Sequence, residues 1–92
     1  MQWGRMERRV ETIVSARLEI PGEPRIVEPV VIENISQHGA RVVTGRPCNV
    51  NVRVIVSDLI GGIRVEARVV YCQNLLDGRC AIGLHFNAPA HV

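Results

Sequence analysis

Apolar and polar residues alternate with a period of two along most of this chain, and this pattern restricts its fold more than any other feature. The valines at positions 50, 52, 54 and 56 alternate with Asn51, Arg53 and Ile55, and residues 63–71 repeat the pattern. Successive side chains of a β-strand point to opposite faces of the sheet. Each alternating segment is therefore predicted to be a strand with one face in a core.

Six such segments are separated by turn-forming residues, and together they predict an all-β domain. The predicted strands are Val10–Ile20, approximately Val27–Glu33, Ala40–Thr44, Val50–Val56, Ile63–Tyr71 and Cys80–Phe86. Most of the connections contain Pro or Gly, and the Asp77-Gly78 pair is typical of a tight hairpin. Six short strands at this spacing indicate a small antiparallel barrel or sandwich. The inward side chains are predicted to include Val52, Val54, Val65, Val69, Tyr71, Ile82, Leu84 and Phe86.

The composition favours one soluble domain with an aliphatic core. Of the 92 residues, 47% are hydrophobic but only 3% are aromatic, so the core must consist mainly of Val, Ile and Leu. No apolar run approaches the ~20 residues of a membrane-spanning helix. The arginine-rich N-terminus also lacks the apolar segment of a signal peptide. We therefore expect a cytoplasmic protein without membrane insertion.

The cysteines and histidines do not indicate a metal site or a catalytic centre. Cys48, Cys72 and Cys80 lack the spacing of zinc ligands, and the three histidines are scattered. An odd number of cysteines fits a reducing compartment, where free thiols are expected. Since no nucleophile–base pair or pair of carboxylates can be assembled, the sequence predicts neither an enzyme nor a cofactor.

A polar stretch, residues 33–42, separates two apolar runs and is predicted to be a turn. Asn34 and Ser36 are of types whose side chains bond their own backbone, and Gly39 tolerates unusual backbone angles. Alternation continued from Val30 and Ile32 would place Asn34 in the core. The phase must therefore slip, which predicts a strand end or a bulge that leaves Asn34 and Ser36 in solvent.

Two short motifs suggest a family. Asn34-x-Ser36-x-x-Gly39 has the form (D/N)xSxxG, and residues 5–9, RMERR, contain RxxxR. With the glycine-containing last strand, residues 81–86, the chain resembles PilZ domains, bacterial receptors for cyclic di-GMP, from about Arg5 to Phe86. The resemblance implies a six-stranded antiparallel barrel, in agreement with the alternation.

PilZ domains usually continue into a helix after the last strand. Only six residues, one of them proline, follow that strand here, too few for a stable helix. We therefore expect the C-terminal helix to be absent or truncated. An uncovered barrel mouth would favour self-association, so a homo-oligomer is one expected state.

The resemblance also implies a ligand site. Cyclic di-GMP carries phosphates and guanines, and the planar fork of arginine pairs with both. Arg5 and Arg9 would bind phosphate or guanine and stack on the ligand, whereas Arg8 would either assist or point away. In the second motif, Asn34 would bond guanine through its amide and Ser36 would bond the ligand or brace the turn. Gly39 would leave room for the ligand to approach.

The two motifs lie in different parts of the chain. Residues 1–9 lack apolar periodicity and are expected to form a flexible arm before a barrel domain at 10–92. A ligand that contacts both motifs would order the arm and convert binding into a change of shape. A downstream protein partner would read that change. The sequence is compatible with one bound nucleotide or with an intercalated pair.

Two other functions are compatible with a small barrel of this kind. A PilZ-like adaptor would bind another protein without binding nucleotide, and a titration with cyclic di-GMP distinguishes it from a receptor. A barrel that binds single-stranded nucleic acid needs aromatic platforms along a basic groove. The aromatic residues are Trp3, Tyr71 and Phe86, and two of them are predicted in the core, so nucleic acid is not an expected partner.

Overall fold

The computed structural model describes residues 10–58 and 64–88 and contains six β-strands within these ranges. The strands are β1 (Val10–Ile20), β2 (Ile26–Ile35), β3 (Gly39–Thr44), β4 (Arg53–Asp58), β5 (Arg64–Asn74) and β6 (Cys80–Phe86). The predicted arm, residues 1–9, lies outside the described residues. So do residues 89–92, on which most of the expectation about a C-terminal helix rests.

The six strands form one closed sheet. They pair in the order β1-β2-β3-β6-β5-β4, and β4 in turn pairs with β1. All six pairings are antiparallel. The predicted six-stranded antiparallel barrel is therefore confirmed. In the two described ranges there is no helix long and apolar enough to cross a membrane.

The core is aliphatic and is filled from all six strands. Its largest fully buried side chains include Leu18, Ile32, Val42, Val54, Val56, Val69 and Ile82. Burial of one such side chain contributes roughly 1.5–3 kcal/mol. The predicted inward positions Val54, Val69, Ile82, Leu84 and Phe86 are all buried. Val52 and Val65 are partly buried and pack against this core.

The strand predicted from Val50 begins later than expected. β4 starts at Arg53, and Val50 is exposed instead of lying in the core. The reason is a turn: Asn51 has a φ of 75°, and Val52 N donates a hydrogen bond to Asn49 O at 3.3 Å. Asparagine tolerates this left-handed conformation better than most residues. The alternation at 50–52 thus continues the strand pattern into a turn.

The phase slip predicted near Asn34 is a register shift between β2 and β3. Ile32 lies opposite Val42, but Asn34 lies opposite Arg41, so Glu33 is the extra residue on β2. The shift turns Ile35 into the core, where it is 5% exposed. Asn34 is left on the outer face and is half-buried. This is the bulge that the broken alternation predicted.

A second register shift changes the face of Tyr71. Val69 lies opposite Leu84 and Tyr71 opposite Gly83, so Val70 is the extra residue on β5. Tyr71 is 40% exposed on the outer face, and Cys72 packs against the core instead. The prediction that Tyr71 points inward is therefore wrong. The bulge reverses the phase of the strand beyond Val69.

Candidate ligand-binding site

The turn between β2 and β3 is closed by Ser36. Its backbone N donates a hydrogen bond to Gly39 O at 2.8 Å. The hydroxyl Oγ donates to the same carbonyl at 3.4 Å and accepts from His38 N at 3.4 Å. His38 O in turn accepts from Phe86 N at 2.8 Å, which ties the turn to β6. Ser36 therefore braces this turn, one of the two roles expected for it.

Gly39 lies directly against the backbone of β6. A Cβ at this position would lie 2.5 Å from Leu84 O, closer than real Cβ atoms approach a backbone atom. The absence of a side chain is thus required by the packing of β3 on β6. Substitution of Gly39 by valine would disturb the barrel itself, so this variant cannot isolate an effect on ligand approach.

Arg41 is held on the outer face by side chains of two other strands, β2 and β5. Its Nε donates to Glu33 Oε1 at 2.9 Å, and its Nη1 donates to Tyr71 OH at 3.0 Å and to Gln73 Oε1 at 3.4 Å. The bonds to Tyr71 and then to Glu33 raise the pKa of Arg41, which stays charged. Its side chain retains 29% of its exposure. The result is a fixed, partly exposed cation beside the turn.

Two adjoining depressions surround the turn and share Ser36, Gly39, Val70 and Leu84. The first, of about 200 Å³, is lined by Asn34, Ser36, Gly39, Ala40, Arg41, Val70, Tyr71, Gly83 and Leu84. The second, of about 360 Å³, is lined by Ser36, His38, Gly39, Arg68, Val70, Leu84 and His85. Amide, hydroxyl, imidazole and guanidinium groups thus surround a small apolar floor. Such a lining suits a ligand that has both flat rings and anionic oxygens.

The structure brings together three of the predicted site residues. Asn34, Ser36 and Gly39 line one depression. Arg5, Arg8 and Arg9 lie outside the described residues, and their positions stay predictions.

Sequence reasoning missed Arg41 and Tyr71. A single arginine on a strand is ordinarily a solvated side chain. The sequence signal that could have indicated Tyr71 was Gly83, because a glycine within a strand often accompanies a large side chain on the neighbouring strand.

A larger cavity lies elsewhere in the described part of the chain. It measures about 580 Å³ and is lined by the outer faces of β1 and β2, the C-terminal end of β3, and Arg79. It contains none of the motif residues. We place the candidate ligand-binding site at the turn at Ser36 because the motif residues Asn34, Ser36 and Gly39 line the depression there.

Comparisons with known proteins agree with this fold. The family profile of the PilZ domain matches residues 4–91, and the chain belongs to this family. PilZ domains are receptor and adaptor domains linked to cyclic di-GMP rather than enzymes. No curated protein sequence matches the chain significantly.

A solved structure with the same fold is that of the Bacillus subtilis inhibitor of motility, MotI/DgrA. The TM-score is 0.70 at 20% sequence identity, and the match covers 94% of this chain and 44% of that protein. At this identity the likeness shows the fold alone. The chain spans less than half the length of that protein.

Proposed function

We propose that this protein is a cytoplasmic cyclic di-GMP receptor domain whose N-terminal arm becomes ordered when the ligand binds. The observation that carries the proposal is the braced turn at Ser36, beside Asn34 and the fixed cation Arg41. It stands in a PilZ chain that also contains the RxxxR sequence at residues 5–9. Together these groups suit the two components of the ligand, phosphate and guanine.

Each group has a defined task in this proposal. The Asn34 amide donates to a guanine O6 or N7 atom, and Arg41 faces a phosphate or the second guanine edge. Arg5 and Arg9 complete the site from the arm, where their planar guanidinium groups stack on the bases. Arg8 either joins them or points away.

The coupling between ligand binding and ordering of the arm follows from the two halves of the site. The barrel half is rigid, because the turn is hydrogen-bonded to itself and to β6. The arm half gains contacts only when the ligand is bound, so ligand binding orders residues 1–9. The cost of ordering is offset by charge-assisted hydrogen bonds, and affinity therefore falls as salt rises. A downstream protein partner reads the ordered arm.

Calorimetric titration with cyclic di-GMP tests the proposal and also reports stoichiometry. We expect the wild-type protein to bind, with Asn34→Ala weakened by about 1–3 kcal/mol. Arg25→Ala is the matched control, since Arg25 lies at the opposite end of β2 and pairs only weakly with Glu19 at 3.6 Å. No heat of binding from the wild type, or equal losses in both variants, would show that the receptor assignment is wrong.

A further inference from the structure

The cavity of about 580 Å³ is a groove across the outer face of the barrel. By strand register, Arg17 on β1 lies opposite Pro29 on β2. Val31 pairs with Val43 and Thr44 pairs with Cys80; continued past these pairs, the two registers place Gly45 beside Pro29 and Arg79 beside Gly45. Arg17, Pro29, Gly45 and Arg79 all line the groove, and the extended registers order them in one transverse row from β1 to the residue before β6.

The groove has an apolar centre and cationic ends. Val27 and Pro29 are exposed within it, and Val31 and Val43 form the adjoining row. Gly45 has no side chain, and a Cβ there would meet nothing within 4 Å, so the groove is open at this position. None of the described residues that line the groove is acidic. The surface is therefore complementary to an apolar group flanked by negative charges.

The two arginines differ in how they are held. Arg79 is oriented by Asp77, whose Oδ2 accepts from Nε at 2.8 Å and lies 2.8 Å from Nη2. This arrangement leaves Nη1 available to a second acceptor. Arg17 is exposed and has no hydrogen bond or ion pair with another residue in the described ranges. Each end of the groove can thus accept one carboxylate.

The spacing of the two cations identifies the kind of partner. Three interstrand distances separate β1 from β6, so the backbone positions of Arg17 and Arg79 lie about 14 Å apart. In an extended chain, residues i, i+2 and i+4 share a face, and the outer two lie about 13 Å apart. An acidic–apolar–acidic pattern at that spacing matches the row from Arg17 to Arg79.

We infer that this groove docks an extended segment of a partner protein in which two acidic side chains flank an apolar one at two-residue intervals. The apolar side chain lies over Pro29 and Gly45, and the acidic side chains pair with Arg17 and Arg79. Among the described residues, the groove shares none with the depressions at Ser36. The inference thus goes beyond the nucleotide site and does not depend on it.

The test uses the full chain, without cyclic di-GMP, and a fluorescent peptide in which aspartates flank one leucine, with serine elsewhere. At roughly 50 mM salt we expect binding at least about tenfold tighter than that of a peptide with asparagines in place of the aspartates. Gly45→Leu should weaken binding by about tenfold or more with an unchanged melting temperature, because it fills open space. Arg17→Glu combined with Arg79→Glu should remove the preference for aspartate.

Arg53→Glu on β4 is the matched control and should change affinity less than about twofold, since it alters charge outside the groove. The inference is overturned if the wild type fails to bind at about 1 mM peptide, or if Gly45→Leu binds normally. It is likewise overturned if the two Arg→Glu changes and Gly45→Leu leave peptide binding intact. In that case the same variants would instead abolish binding of the chain to anionic vesicles, to an oligonucleotide, or to a second copy of itself.

Discussion

The ring of Tyr71 occupies the space in which a side chain at position 83 would lie. A Cβ built on Gly83 would stand 2.1 Å from Tyr71 Cε2. The two residues face each other across β5 and β6, just beyond the bulge at Val70. This contact fixes the ring on the outer face, where its hydroxyl accepts a hydrogen bond from Arg41. Gly83, which lies opposite Arg41 in the β3–β6 register, therefore leaves room for the ring that holds this cation in position.

The first prediction concerns this contact. Gly83→Ala should displace the Tyr71 ring and lower the free energy of unfolding by about 1–3 kcal/mol, as overpacking does. In a Tyr71→Ala background the space is empty, so the same change should cost much less. Urea unfolding of the four proteins measures the difference. An identical cost in both backgrounds would show that the ring is not the obstacle.

The second prediction concerns Arg41 as part of the nucleotide site. Arg41→Lys keeps the charge but loses the fork that Glu33 and Tyr71 hold in place, so affinity for cyclic di-GMP should fall by about 1–3 kcal/mol. Tyr71→Phe keeps the ring and removes one hydrogen bond to Arg41, with an expected loss of about 0.5–1.5 kcal/mol. Calorimetry measures both, with Arg25→Lys as the control. Normal affinity in Arg41→Lys would remove Arg41 from the site.

The third prediction separates bracing from binding at Ser36. Ser36→Ala removes both hydrogen bonds of the hydroxyl and should lower the free energy of unfolding by about 0.5–1.5 kcal/mol. Because the turn holds Asn34 and Arg41 in position, affinity for cyclic di-GMP should fall as well. Ser36→Thr retains the hydroxyl and should therefore keep much of the stability and much of the affinity. A variant with full affinity and reduced stability would limit Ser36 to a structural role.

The fourth prediction concerns the arm. If Arg9 contributes charge alone, Arg9→Lys should bind cyclic di-GMP almost normally. If Arg9 pairs with guanine or phosphate through its planar fork, the loss should be about 1–3 kcal/mol. We expect the second outcome, together with reduced backbone mobility of residues 5–9 in NMR relaxation on saturation with ligand. Unchanged mobility of these residues would exclude arm ordering.

The fifth prediction concerns pH. Burial, more than the charge of nearby Glu28, raises the pKa of the Cys48 thiol. A raised pKa in the folded state means that stability is complete below the unfolded pKa of ~8.5 and is lost as pH rises through the folded pKa. The free energy of unfolding should therefore decline above about pH 8.5. The free energy of unfolding of Cys48→Ser should decline less steeply over the same range. An unchanged slope would mean that Cys48 contributes nothing to the pH dependence.

The sequence predicted the barrel because most strands keep one phase of alternation. Val54, Val69, Ile82 and Leu84 lie in the core for that reason. At Tyr71 the prediction failed because the alternation there carries no information. Val69, Val70, Tyr71 and Cys72 are all apolar, so either phase fits, and only pairing with β6 locates the bulge.

The candidate site was predicted only in part, for a different physical reason. Asn34, Ser36 and Gly39 are local in sequence and have the chemistry of a turn, so they can be recognised together. Arg41 takes its position from Glu33, Tyr71 and Gln73 on two other strands. Contacts of this kind depend on the closure of the sheet, which the spacing of residues along the chain does not report.

The pairing of β4 with β1 has a consequence for how other molecules can attach to this domain. Ala16–Glu19 lie against Ile55–Asp58, so the sheet is a ring without a terminal strand. Free backbone amides and carbonyls at a sheet edge are what allow a foreign strand to add to a protein or identical copies to stack into fibrils. Where β1 and β4 are paired, neither process can begin until their contact separates. Attachment across this part of the barrel must therefore be recognised by side chains, and its selectivity is open to change by single substitutions on the outer surface.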